Sequence, residues 1–290
     1  MAAAYTRTGA MTDHNHAGIR RRRAGLAQKR ELRDLAAAAQ PLPGPLDLVH
    51  VTSVGAGREI VSLGQIEATR CAVFQRDLVY MFLARPAYRL RNGNAKWDQI
   101  NRFPCVFVIR PDELGPPFHI YPFDTGAAAS GCYGDTADPH VYLEDYELDP
   151  NLPAAQRHIA WAFGDNLQYF KGDLIPGLIG GLHAWQSVGQ SWLTIAGLAA
   201  TGSNRPDKRA SAIEVAYSKH LPLKGYARLV IFPQQLIEDN HGKNSEFIGH
   251  LTKQDLLWET YDWRPNETPD RFMEDVTEIV RRSLGNAGQL

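Results

Sequence analysis

The sequence is poor in cysteine. Cys71, Cys105 and Cys132 are the only three in 290 residues, their number is odd, and none stands in a C-x-x-C pair. That excludes a disulfide framework and a thiolate-built structural zinc site, and a reducing compartment suits the chain best. Long apolar runs are also missing. No segment reaches the roughly 18 to 20 apolar residues of a membrane span, and the arginines near the start are not followed by the hydrophobic region of a signal peptide. The expectation is a soluble, cytoplasmic protein without a membrane partner. An excess of one charge is absent as well: 31 basic residues face 32 acidic ones, a formal net charge of −1. A protein that coats nucleic acid non-specifically is thereby excluded, and any polyanion site has to be a local patch. The glycine-rich run at 176–181 lacks the G-x-G-x-x-G order and the preceding strand of a dinucleotide fingerprint, so it reads as a turn. No internal repeat is visible.

What remains is an ordinary globular composition, with 44% hydrophobic residues and enough apolar material for a large core. Residues 1–19 lack periodicity and read as a disordered tail; the Asp13-His14-Asn15-His16 cluster in it is better explained by that tail than by a metal. Between 20 and 33 stand seven basic residues against one acid, a balance of +6, and the spacing predicts a helix over 24–39. That segment reads either as a phosphate-binding arm or as a solvated helix laid on the domain by Leu26 and Leu35. Pro41, Pro43 and Pro45 end it, so 1–40 forms a basic arm and 41–290 a single domain. Strands are predicted at 47–52, 71–74, 78–84, 103–109, 118–123 and 227–232. Ser53 is placed to cap a short helix that stops at Gly64. Helices are predicted from Asn151, with Ile159, Phe163, Leu167 and Phe170 on one stripe, over 183–199, and from Thr268 to a stop at Gly285. The acidic stretch 135–149 lacks a loop-ligand pattern and reads as a solvated surface rather than a cation site. Strands and helices interleave irregularly, which indicates an α+β domain rather than a βαβ array.

The stretch from Lys208 to Tyr217 reads as a basic loop entering a short strand. Alternation puts Ile213, Val215 and Tyr217 on one face and Ala212, Glu214 and Ala216 on the other, so the Glu214 carboxylate is flanked by methyl groups that leave room for a ligand. An edge-strand glutamate in water is the bland alternative. Three blocks taken in order change that balance: His50-Val51-Thr52 followed by Ile60 and Gly64; the apolar, aromatic run 77–84 that ends in Arg85-Pro86; and Arg209 to Glu214 followed by a strand. Together they resemble the diphtheria-toxin-like ADP-ribosyltransferase family, and more narrowly the DarT-type toxins that ADP-ribosylate thymidine in DNA. Where that family tends to carry an Asn shortly after His-x-Thr, this chain has Ala56 between Gly55 and Gly57.

The resemblance implies an α+β fold with a split mixed or antiparallel sheet, surrounding helices, and NAD as co-substrate without a metal. It implies Glu214 and Arg85 as catalytic residues, and His50, Val51, Thr52 and Tyr80 around the cofactor. Arg205, Lys208 and Arg209 then lie where a substrate-recognition loop would meet a nucleic-acid backbone. The residue types fit the chemistry independently. Breaking the nicotinamide–ribose bond develops positive charge on the sugar, and a carboxylate in a water-poor cleft stabilises it. The expected activity is NAD-dependent mono-ADP-ribosyl transfer by a toxin or phage-defence effector, acting on DNA or RNA and answered by an antitoxin or other neutralising protein. Three rivals stand beside it: a protein-directed transferase, an RNA 2′-phosphotransferase-like enzyme, and an inactive nucleic-acid-binding module. The constellation makes a geometric demand, that His50, Arg85 and Glu214 face one cleft.

Overall fold

In the computed structural model, which describes residues 18–87, 96, 98–134, 136–199 and 207–290, the apolar runs become the middle of one eight-stranded sheet. The chain enters through α1 (Glu31–Ala37), β1 (Leu48–Ser53) and α2 (Val54–Leu63), followed by β2 (Gln65–Ile66), β3 (Thr69–Cys71) and β4 (Arg76–Leu83). Next come β5 (Pro104–Ile109) and β6 (His119–Tyr121), then a helical stretch of α3 (Thr125–Ala129), α4 (Leu152–Ala162), α5 (Asn166–Lys171) and α6 (Ser187–Ala196). The chain returns to the sheet with β7 (Glu214–Tyr217), β8 (Leu221–Pro222) and β9 (Ala227–Pro233). It closes with the hairpin β10 (Glu238–Asp239) and β11 (Gly242–Lys243), α7 (Ser245–Lys253), β12 (Trp258–Tyr261) and α8 (Pro269–Asn286).

The main sheet runs β12-β9-β5-β1-β4-β7-β6, with β3 paired to β4. Its edge pair β12–β9 is parallel, and the pairs inward from it are antiparallel. This is the α+β class with a mixed sheet. Every residue of β5 is buried, as a strand covered on both faces requires. The Ser53 side chain accepts from Ala56 N and caps α2, and Gly64 closes that helix at φ 75°. Gly57 answers a packing demand: a Cβ there would lie 2.4 Å from Cys105 Sγ on the strand beneath. Among the described residues no helix is long and apolar enough to cross a membrane.

Several sequence expectations change. The helix expected over 24–39 is only the seven residues of α1, and the chain ahead of it turns at Gly25, φ 86°. Arg21 pairs with Glu144, Arg30 with Asp149, and Arg33 with both Glu147 and Asp149. The basic segment is thus neither a free phosphate arm nor a solvated helix, and the acidic stretch is its counter-surface. The single stripe expected from Asn151 breaks at Gly164, which takes φ 86° between α4 and α5. α8 runs past Gly285 to Asn286, and α7 and β12 appear where no element was expected.

Candidate active site

Glu214 opens β7, opposite Phe82 of β4 and Tyr121 of β6. Cross-strand partners share a face, so Glu214 stands with Ala216, Tyr80, Phe82, His119 and Tyr121, while Ile213, Val215 and Tyr217 turn into the main core. The strand entrance is stapled by one phenol: Tyr169 Oη donates to Leu83 O at 2.8 Å and accepts from Ile213 N at 3.0 Å. Phe82, Ala87 and Ala212 form a small apolar cluster apart from the main core. Phe82 and Ala212 lie on the Glu214 face, so the methyl-flanked setting expected from alternation is present.

The carboxylate is 3% exposed and is held by three donors. Thr125 Oγ1 donates to Oε1 at 2.6 Å, Thr125 N donates to Oε2 at 3.1 Å, and His119 Nε2 lies 3.2 Å from Oε1. Burial pushes the Glu214 pKa up to about 8, against the opposing pull of the two Thr125 hydrogen bonds. Burial also pushes His119 down to about 3, so its ring is neutral and its contact with Glu214 is a hydrogen bond, not an ion pair. Next door, Asp124 caps α3 by accepting from Ala127 N at 2.8 Å, and burial and the neighbouring Glu214 raise its pKa to about 6.

The sheet opens beside this carboxylate. β1 pairs with β4 only at Leu48↔Leu83 and Val49↔Phe82, whereas its pairing with β5 continues through Ser53. Ala84 N donates to Asp47 O across the same seam and Val54 N donates to Phe103 O on the other side. Odd-numbered residues of β1 therefore direct their backbone groups toward β4 and even-numbered ones toward β5. The N–H and C=O of Val51 face the side where the ladder has ended. His50 Nδ1 takes the acceptor that the Val51 N–H would have used, lying 2.9 Å from Tyr80 O. A carbonyl only accepts, so Nδ1 carries the proton, and burial keeps the ring uncharged. Nε2 is left with a lone pair, suited to accept from a hydroxyl. Thr52 Oγ1 has no hydrogen-bond partner among the described residues.

No family model matches this chain, and no curated protein matches it. A solved structure similar to the chain was found. It is a Thermus sp. 2.9 DarT in complex with NAD+, at 13% identity and a TM-score of 0.36, covering 76% of this chain and 96% of that one.

Glu214 is buried rather than solvated, but no contact joins it to His50; Tyr80 lies between, giving its carbonyl to His50 and its ring to His119, 5.8 Å between centroids. Tyr80 Oη donates to Cys71 Sγ at 2.8 Å. Arg85, which the resemblance implies as catalytic, is turned inward and its donors are committed to the protein. It is 3% exposed, with Nη1 donating to Ser211 O and Oγ, both at 2.9 Å, and Nη2 donating to Lys208 O at 3.2 Å. Its fork holds the turn that leads into β7, and Tyr169 lies beneath it, 5.4 Å from ring centroid to Cζ. Arg209 is likewise committed, to Asp207 at 2.8 Å and Asp124 at 3.5 Å. Lys208 is exposed. Arg205 lies outside the described residues.

Sequence reasoning missed Thr125 and His119. Asp124-Thr125 ahead of an alanine run is a cap signal that was there to be read. Nothing local could show that β6 pairs with β7.

Proposed function

We propose that the protein is an NAD-dependent mono-ADP-ribosyltransferase whose acceptor is a nucleic acid, DNA or RNA, acting as a toxin or defence effector held in check by a neutralising partner. The observation that carries this reading is the buried Glu214 carboxylate beside a sheet seam whose polar groups are unspent. Those groups suit NAD. A carboxamide offers N–H donors and a carbonyl acceptor, matched by the C=O and N–H of Val51, and His50 Nε2 suits a ribose hydroxyl. Glu214 is the anion for the positive charge that develops on the ribose. Lys208, exposed just ahead of Glu214, supports a phosphate backbone as the neighbouring partner.

In the reaction the bond between ribose C1′ and the nicotinamide nitrogen breaks and nicotinamide leaves with the electron pair. The acceptor atom forms the new bond to C1′ and gives up its proton. Only ionised Glu214 stabilises the sugar charge and takes that proton, and its pKa of about 8 makes the rate rise with pH through that value. The test is nicotinamide release from NAD in the presence of DNA, RNA or protein. Glu214→Gln is expected to lower it by about 10² to 10³, the usual loss when a transition-state partner is removed. Equal release by both forms overturns the assignment, and ADP-ribose found by mass spectrometry on protein alone overturns the choice of acceptor.

A further inference from the structure

We propose that Thr125 and His119 are positioning residues that aim the Glu214 carboxylate, a role resting on the transferase reading above. Three donors from two elements outside β7 converge on one side chain. Thr125 grips both oxygens, with Oγ1 on Oε1 at 2.6 Å and the backbone N on Oε2 at 3.1 Å, so the carboxylate plane cannot rotate without breaking a bond. His119 Nε2 meets Oε1 from β6 at 3.2 Å.

The His119 ring makes this contact at a cost. Its Nδ1 is buried and has no partner among the described residues, which is unfavourable for a polar atom sealed from water. Aromatic rings seal it in, with Phe74 at 4.5 Å, Tyr121 at 5.0 Å, Phe118 at 5.2 Å and Tyr80 at 5.8 Å between centroids. A phenylalanine would fill the same space and leave no nitrogen unpaired. The nitrogen that is satisfied is the one on Glu214. Donors to a carboxylate favour its ionised form, and ionised is the form the reaction uses. The pair thus directs the carboxylate, and the two Thr125 bonds hold its pKa below the value burial alone would impose. The other titratable groups facing this site are Asp124 at the cap of α3, Tyr80 from β4 and Tyr121 from β6; Glu144 and Glu147 act from the acidic stretch and Arg21 from the arm.

The experiment compares the full chain with Thr125→Val, Thr125→Ser and His119→Phe. The first readout is the pH profile of nicotinamide release. Loss of one donor to the carboxylate is expected to move the midpoint up by about one pH unit in Thr125→Val and in His119→Phe. KM for NAD should change little, and Thr125→Ser should restore the wild-type profile. The second readout needs no activity. The infrared carbonyl band of protonated Glu214, assigned by its loss in Glu214→Gln, is titrated in each folded variant. Unmoved infrared midpoints in both Thr125→Val and His119→Phe overturn the positioning role, whatever the activity. Shifted midpoints in a wild-type background that releases no nicotinamide keep the hydrogen-bonded grip and overturn the transferase reading instead.

Discussion

Arg85 and His158 show how far a side chain's role depends on what closes around it. The resemblance implies Arg85 as a catalytic residue, whereas an arginine after an apolar strand is more usually a surface charge. In the fold its donors go to Ser211 and Lys208, which makes it a brace for the approach to Glu214. His158 is fully buried in α4 against Trp192, 4.4 Å between ring centroids, and neither nitrogen has a partner among the described residues. Burial pushes its pKa down to about 3. Between that value and the ordinary histidine range near 6.5 the unfolded chain binds a proton that the native protein does not, so stability falls as pH drops through the window. His158→Phe removes both the unpaired nitrogens and this acid sensitivity. It is expected to raise thermal stability by about 1–3 kcal/mol, with a larger gain at pH 5 than at pH 8 in melting experiments. A loss of stability at both pH values would mean the nitrogens are paired by buried water.

At the level of elements, the β1–α2 junction couples packing to the site. α2 starts directly after the residues that face the opened seam, and it lies so close to β5 that Gly57 has no space for a side chain. Gly57→Ala gains helix propensity, about 1 kcal/mol. Its Cβ would also stand 2.4 Å from Sγ and 2.7 Å from Cβ of Cys105, and Cβ is a fixed atom that cannot swing away. The clash should win, with a net destabilisation of about 1–3 kcal/mol, read as a lower denaturant midpoint at unchanged slope. A neutral or stabilising result would show that α2 lifts from the sheet freely. The same junction carries the Ala56 that departs from the expected Asn, and Gly57 beside it is explained by this contact. Elements with local signals were legible: Ser53 and Gly64 mark both ends of α2, and the apolar runs became β4 and β5. α7 and β12 were not. The last turn of α7 carries His250 and Lys253, and β12 is half-exposed along much of its length. α7 nonetheless has its own signals, an Asn244 side-chain cap and Glu246 in its first turn, whereas β12 is fixed by its pairing with β9.

The whole molecule decides what its charges do. The +6 of residues 20–33 and the acids of the stretch 138–149 lie about 120 positions apart, and the fold sets them against each other. Beyond the arginine pairs, Lys29 N and Arg22 N donate to Asp145 and Glu144, and Ile19 N donates to Ala128 O at the end of α3. The arm therefore backs the helix whose first residue grips Glu214. Partly exposed pairs are individually worth about 0.2–1 kcal/mol and are screened by salt. Trypsin is expected to cut after the arginines at 20–23 several-fold faster in about 1 M salt, where the Debye length shrinks to about 3 Å. The double variant Glu144→Gln, Glu147→Gln should show the same rise already at low salt. Cutting rates unaffected by either change would mean that Ile19 and Leu32, both buried, hold the arm by apolar contact alone.

The sequence by itself determined the class of fold, the alternation that sets Glu214 between two alanines, and the His50-Val51-Thr52 strand end. These are properties of short stretches, governed by periods of two and of 3.6 residues. Only the tertiary structure decided that β1 parts from β4 after Val49, that Arg85 turns inward, that Arg21, Arg30 and Arg33 pair with the acidic stretch, and that Thr125 and His119 meet Glu214. Each of those joins residues some 30 to 130 positions apart through sheet order and burial, which no local pattern encodes.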